Sequence, residues 1–140
     1  MYNVVLFCMV LIIAGQLCIA QNVKVDSVET ITIFYTDFNN ETFADVGCND
    51  FMREFVGDIK ELKVTEKHIM KKITSMVKGM KPDTSNVPID ARAKIIIKYN
   101  SMHIDMICVD MFTIYLNGQH VRDNADFINM IRTYIKRHIK

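Results

Sequence analysis

The sequence predicts an α+β protein, built as a two-layer sandwich in which an antiparallel sheet of about four strands is covered on one face by two or three helices. Two observations predict this class. The second half of the chain contains apolar runs that alternate with polar residues and are joined by short turns, which is typical of antiparallel strands. Other segments carry apolar residues at helical spacing along one stripe. The predicted order is β-α-α-β-β-β-α.

The first half of the chain supplies a strand and two helices. Residues 27–38 (SVETITIFYTDF) alternate apolar and polar positions with β-branched residues, which predicts a strand. The segment 48–62 predicts a helix with an apolar face, although Gly57 weakens it; the face consists of Phe51, Phe55 and Ile59. A clearer helix starts at a capping Thr65 and ends at Pro82, and its stripe consists of Ile69, Ile73, Met76 and Met80.

The second half supplies the remaining strands and the last helix. Residues 92–99 form a strand, and Asn100-Ser101 forms the turn after it. Residues 102–118 continue as strand, with one parity predicted to face the core: Ile104, Met106, Cys108, Phe112, Ile114 and Leu116. Asp110 shares that parity, and burying its carboxylate is costly, so a bend near Val109 to Met111 is expected to split the run.

A hairpin and a helix close the chain. Asn117-Gly118 predicts a two-residue hairpin turn leading into QHVR. Asp123 or Asn124 is expected to cap the final helix. Its buried stripe is predicted to be Phe127, Ile131, Tyr134 and Ile135.

Residues 1–20 are predicted to be a signal peptide. No charged side chain precedes Lys24, and the apolar core from Val4 to Ala14 is shorter than the roughly 20 residues that a membrane span needs. Cleavage is expected after Ala20, with an uncleaved membrane anchor as the alternative. Residues 21–140 then form a single globular domain that is periplasmic or extracellular, with no transmembrane segment after cleavage.

Charge is unevenly distributed along the chain. Residues 21–62 hold nine acids and three bases, whereas residues 63–140 hold seven acids and fourteen bases. The two halves are expected to lie against each other and partly neutralise, and a basic surface for an anionic partner is the alternative. The candidate basic surface lies near the C-terminus: Arg132, Lys136, Arg137 and Lys140. The simpler roles for these four residues are to stabilise the dipole of the last helix and to keep the protein soluble.

A candidate polar cluster lies on the predicted strands. His103 and Asp105 are expected on the face opposite Met106 and Cys108, where a histidine and a carboxylate can share a proton or bind a metal. Asp110 is the third member of the cluster. Two solvated side chains are the simpler interpretation, since the chain has no HxH, HExxH or CxxC spacing. No metal or cofactor is therefore expected.

The two cysteines of the mature chain predict one disulfide, Cys48 to Cys108, because exported domains commonly pair their cysteines. Two buried thiols are the alternative. A catalytic Cys108 with a nearby histidine is a further hypothesis, although Cys108 lies on an apolar parity where thiols are usually inert.

Three stretches, IDARAKIIIKY, DMICVDMF and LNGQHVRDN, behind a signal peptide resemble small exported proteins of unassigned function from gut Bacteroidetes. The resemblance covers about the last third of the chain and implies export, with no chemistry to transfer.

These observations predict a non-catalytic exported binding or interaction protein with an unknown protein or peptide partner, and a peptidase-inhibitor-like module is one form it could take. No nucleic acid is expected, because aromatic residues do not alternate with the basic ones. One rival is a small secreted hydrolase using Cys108 or the pair His103 and Asp105; another is a binder of an anionic surface. A sheet face left partly open also allows a dimer.

Overall fold

The computed structural model describes residues 26–122 and 124–139. It is an α+β structure with one antiparallel sheet of six strands and three helices. The predicted signal peptide, Asp123 and Lys140 lie outside the described residues. Within these two ranges, no helix has both the length and the apolar character needed to cross a membrane.

The elements follow one another in an order with two more strands than predicted. They are β1 (Val28–Tyr35), α1 (Phe51–Glu54), β2 (Lys60–Lys63), α2 (Lys67–Lys78), β3 (Ala93–Tyr99), β4 (Ile104–Val109), β5 (Ile114–Leu116), β6 (Gln119–Val121) and α3 (Ala125–His138). The strands lie in the sheet in the order β2-β1-β3-β4-β5-β6, and every neighbouring pair is antiparallel.

Helices α2 and α3 cover one face of the sheet. Their predicted apolar stripes are confirmed: Ile73 and all four predicted residues of α3 are buried, and Ile69, Met76 and Met80 pack against them. The side chain of Asn124 caps α3 by accepting a hydrogen bond from the Phe127 N–H at 3.0 Å. The predicted cap Thr65 does not perform this role, since α2 begins after Glu66 without a side-chain cap.

The predicted helix over residues 48–62 is mostly wrong. Only Phe51–Glu54 is helical, because Gly57 has a φ of 94°, a backbone conformation that ends a helix. The chain then enters β2, which pairs with β1. The predicted apolar face nevertheless packs together, in a second cluster that contains Phe51, Phe55 and Ile59.

This second cluster lies on the sheet face opposite α2 and α3, so the short helix does not belong to the predicted helical layer. Cys108 joins the second cluster, whereas its strand neighbours Ile107 and Val109 join the core beneath α2 and α3. Alternate residues of a strand point to opposite faces. The predicted core parity of β4 is therefore wrong: Ile107 and Val109 face the main core, and Ile104 is 49% exposed.

The rest of the second sheet face is open. Its residues include Thr30, Thr32, Ile96, Lys98, Ile104 and Met106, and all of these are partly or fully exposed. This agrees with the expectation of a partly open face, and dimerisation through it stays a prediction.

Two turns follow the sequence closely. Asn117 and Gly118 have φ values of 51° and 81° and join β5 to β6, so the hairpin is confirmed. The split at Asp110 is confirmed as well, because β4 ends at Val109 and the Asp110 carboxylate accepts the N–H groups of Phe112 and Thr113.

Candidate functional site

Cys48 and Cys108 lie at disulfide distance, as the sequence predicted. Their Cα atoms are 5.7 Å apart, and Cys108 is fully buried. The Lys94 ammonium donates to the Cys48 carbonyl at 3.2 Å. The bond thus anchors the segment that carries α1 to the middle of the sheet, and a bonded Cys108 holds no thiol for nucleophilic catalysis.

The candidate polar cluster is only partly assembled. His103 Nε2 lies 3.0 Å from Asp105 Oδ1, at the edge of the sheet face that α2 and α3 cover. Asp110 lies beyond the other end of β4 and serves its own turn. Two of the three predicted residues therefore meet, and the third is separate.

Asp105 is held mainly by neighbours that the sequence did not indicate. Its carboxylate accepts the Tyr99 hydroxyl at 2.8 Å and the Asn117 amide at 2.9 Å. Burial acts to raise the pKa of Asp105, but the hydrogen bonds from Asn117, Tyr99 and His103 outweigh it, so the net pKa lies below the usual range. The carboxylate thus joins the end of β3 to the β5–β6 turn, while His103 remains 57% exposed.

Replacing Asp105 with alanine is expected to lower the free energy of unfolding by about 2 kcal/mol, because it removes charged acceptors from Tyr99 and Asn117. His103→Ala is expected to cost less than about 0.5 kcal/mol, since an exposed pair contributes little. Urea denaturation of both variants gives these values. Equal losses would contradict a structural role centred on the carboxylate.

A serine, a histidine and an aspartate also meet beside β6, which the sequence gave no spacing signal to find. The Ser85 hydroxyl lies 2.8 Å from His120 Nδ1, and the Asp83 carboxylate lies 3.8 Å from the same nitrogen. A catalytic triad needs the serine and the carboxylate on different ring nitrogens. Because Ser85 and Asp83 both approach Nδ1, the three side chains instead hold the 82–88 loop against β6.

The described residues contain no group of three histidine, cysteine or carboxylate side chains that could hold a metal ion.

Arg92 and Asp90 form an ion pair with a structural role. Arg92 is buried and donates to the Asp90 carboxylate, whose oxygens also accept from Val46 N and the Thr42 hydroxyl. The pair fastens the 40–46 loop to the sheet.

The outer surface of α2 and α3 is strongly basic. We call seven of its residues the basic layer: Lys67, Lys71, Lys72, Lys78, Arg132, Lys136 and Arg137. None of them forms an ion pair with a carboxylate of the described residues. The nearby Glu66 is already engaged by the Tyr134 hydroxyl and by His138.

The candidate basic residues of α3 divide between two clefts. Arg132 and Lys136 line one at the end of β1, and Arg137 lines the other, between the two helices. This interhelical groove has a volume of about 610 Å³. Its apolar lining includes Ile69, Met76 and Met130, its cations are Lys72 and Arg137, and its carboxylate is Asp126.

Acidic residues collect on the opposite side of the sheet. Glu41, Asp45, Asp50 and Glu54 line a cleft beside Phe55, which belongs to the second cluster. The sheet therefore separates the acidic segment from the basic layer. The expected neutralisation of the two halves by direct contact does not occur between these groups.

Compared with protein-family models, curated proteins and solved structures, the chain matches none. The fold and the surface define its class: an α+β protein with one six-stranded antiparallel sheet, a disulfide-distance cysteine pair and a basic helical layer. The resemblance to exported Bacteroidetes proteins stays a prediction.

Proposed function

We propose that this chain is a non-catalytic exported binding protein that holds an acidic segment of a partner protein on its basic layer. The observation that carries the proposal is the set of seven cations on the two helices, none paired with a described carboxylate, with an apolar groove between the helices that Lys72 and Arg137 line. Such a surface attracts acidic segments electrostatically and retains them through apolar contact.

The arrangement of α2 favours a binding role over simple solubility. Lys67 and Lys71 stand one turn apart, and the helix itself contains no acidic residue. Like charges at this spacing destabilise a helix by roughly 0.2–0.5 kcal/mol per pair. Solubility needs only a mixture of both signs, so this arrangement supports a partner of opposite charge.

The groove favours a protein partner over a nucleic acid or a sulfated glycan. Ile69, Met76 and Met130 offer flexible apolar contact, which suits apolar side chains of a peptide. Polyanions without apolar groups would leave this lining uncovered. A module that acts like a peptidase inhibitor is one form such a protein would take.

Two contacts support the non-catalytic part of the proposal, the first against the rival hydrolase that uses Cys108 and the second against a serine triad. Cys108 lies at disulfide distance from Cys48, which leaves a bonded sulfur without nucleophilic character. Ser85 and Asp83 approach the same nitrogen of His120, which does not suit proton relay. The cysteine pair also supports export, because disulfides persist in oxidising compartments outside the cytosol.

A short peptide of glutamate and leucine is expected to bind the protein, with an affinity that falls as salt rises. The variant Lys71→Gln/Lys72→Gln/Arg137→Gln removes both groove cations and the neighbouring Lys71. It is expected to bind the peptide about tenfold more weakly, since three partly exposed ion pairs together contribute about 1.5 kcal/mol. Fluorescence anisotropy with a labelled peptide measures both effects.

The matched control is Lys63→Gln/Lys81→Gln/Lys98→Gln, which removes the same charge away from the helices. It is expected to keep most of the affinity. An equal loss in the control would contradict the groove as the site. Binding to heparin without binding to the peptide would replace the protein partner with a glycan.

A further inference from the structure

A second cleft lies between the end of the sheet and the C-terminal half of α3. It has a volume of about 310 Å³ and is lined by cations from two elements, Lys60 of β2 and Arg132 and Lys136 of α3, together with Tyr35 of β1. A cleft of this size is at the lower limit of small-molecule sites.

The fold directs these side chains toward each other. Tyr35 and Lys60 are cross-strand partners, so they leave the sheet on the same face, the one that α3 covers. Arg132 and Lys136 are one helical turn apart and share a side of α3. The Arg132 guanidinium lies 5.3 Å from the centre of the Phe38 ring, which fixes its position without neutralising it.

Tyr35 supplies an independent sign of a ligand. The residue is only 7% exposed, and its hydroxyl makes no hydrogen bond with a described residue. Every solvent-inaccessible side-chain nitrogen or oxygen in the described ranges makes a hydrogen bond. Because the Tyr35 hydroxyl makes none, it must have solvent contact, and Tyr35 borders the cleft. Its hydrogen-bond partner must therefore come from that solvent, as water or as a ligand oxygen in the cleft.

The charge of the cleft is positive. Lys60, Arg132 and Lys136 form no ion pair with a described carboxylate. Asp37 also lines the cleft, but its Oδ1 atom is occupied by the Asn39 N–H at 2.9 Å. Three cations against one carboxylate leave two positive charges for an anion to balance.

We propose that this cleft binds a tetrahedral oxyanion, phosphate or sulfate, either as the ion or as the monoester group of a larger molecule. A tetrahedral anion presents oxygens in several directions, so one group can contact an ammonium, a guanidinium and a phenol that come from different elements. A planar carboxylate reaches fewer of them. Arg132 and Lys136 also belong to the basic layer, but they line this cleft and not the interhelical groove proposed for the acidic partner.

Inorganic phosphate added at constant ionic strength to the ¹⁵N-labelled protein, expressed from its complete coding sequence, tests the site. Saturable chemical-shift changes are expected around residues 35–39, Lys60 and the last three turns of α3. The variant Arg132→Gln/Lys136→Gln is expected to bind about tenfold more weakly, because it removes two charged donors. Lys67→Gln/Lys71→Gln removes equal charge from α2 and is expected to leave the affinity unchanged.

Two single-atom changes separate a built site from general positive charge. Tyr35→Phe removes only the hydroxyl and is expected to weaken phosphate binding several-fold. Asp37→Asn keeps an acceptor for Asn39 but removes the opposing charge, so it is expected to tighten binding. Absence of saturation with phosphate, sulfate and methyl phosphate, or an equal effect of the α2 control, would overturn the site. Methyl phosphate binding as tightly as phosphate would assign it to ester groups of larger molecules.

Discussion

Removing the bond between Cys48 and Cys108 is expected to lower the free energy of unfolding by about 4 kcal/mol. The two residues are 60 positions apart in sequence, and in the chain-entropy model a crosslink of that span restricts the unfolded chain by about this amount. The loss is large compared with the 5–15 kcal/mol of a typical domain. Urea denaturation with and without reductant measures it.

The variant Cys48→Ala/Cys108→Ala is the control, because reductant is expected to have no effect on it. Intact mass of the exported protein should fit residues 21–140 with two hydrogens missing, which would support cleavage after Ala20 and the bond together. Rapid native labelling of Cys108 would contradict the bond and revive the hydrolase hypothesis.

Asp90→Ala is expected to lower the free energy of unfolding by about 3 kcal/mol. The Arg92 side chain is 5% exposed, and removing its carboxylate partner leaves a buried charge uncompensated. The change also removes the acceptor for the Val46 N–H, which holds the 40–46 loop. Chemical denaturation measures the loss. Replacing both residues, as Asp90→Leu/Arg92→Met, is expected to cost less because no buried charge remains.

The same carboxylate makes stability depend on pH. Burial acts to raise the pKa of Asp90, but hydrogen bonds from Arg92 and Val46 outweigh it, so the folded-state pKa lies below the unfolded value. Its contribution is therefore complete above the unfolded pKa of about 4 and is lost as the pH falls through the folded pKa. Asp90→Asn is expected to flatten this acid loss, and the exposed Asp58→Asn is not. Parallel curves for the two variants would contradict the assignment.

The fold was predictable where one local pattern determined one element. The stripe of α3 and the positive φ values at Asn117 and Gly118 are examples, since each depends on neighbouring residues. Strand β2 was not predictable, because Lys60–Lys63 is charged and becomes a strand only by pairing with β1. The prediction of which β4 residues face the main core was wrong because apolar groups cover both faces of β4 near Cys108.

The candidate sites were likewise predictable only where residue types or local sequence determine them. The basic character of α3 and the cysteine pair could be taken from residue types alone. The cleft of Tyr35, Lys60 and Arg132 could not, because its members come from three elements whose proximity depends on the missed strand β2. Asp105 could be singled out from the sequence, but its partners Tyr99 and Asn117 could not, because they lie on a neighbouring strand and in a turn.

The proposed function depends on the basic layer being the binding surface. The most direct test is a chemical-shift map of the ¹⁵N-labelled protein titrated with the glutamate–leucine peptide. Changes are expected along α2, along α3 and around the groove between them, with none in the acidic 41–55 segment. Changes confined to the open sheet face around Ile96 and Met106, or no change at all, would contradict the proposed function.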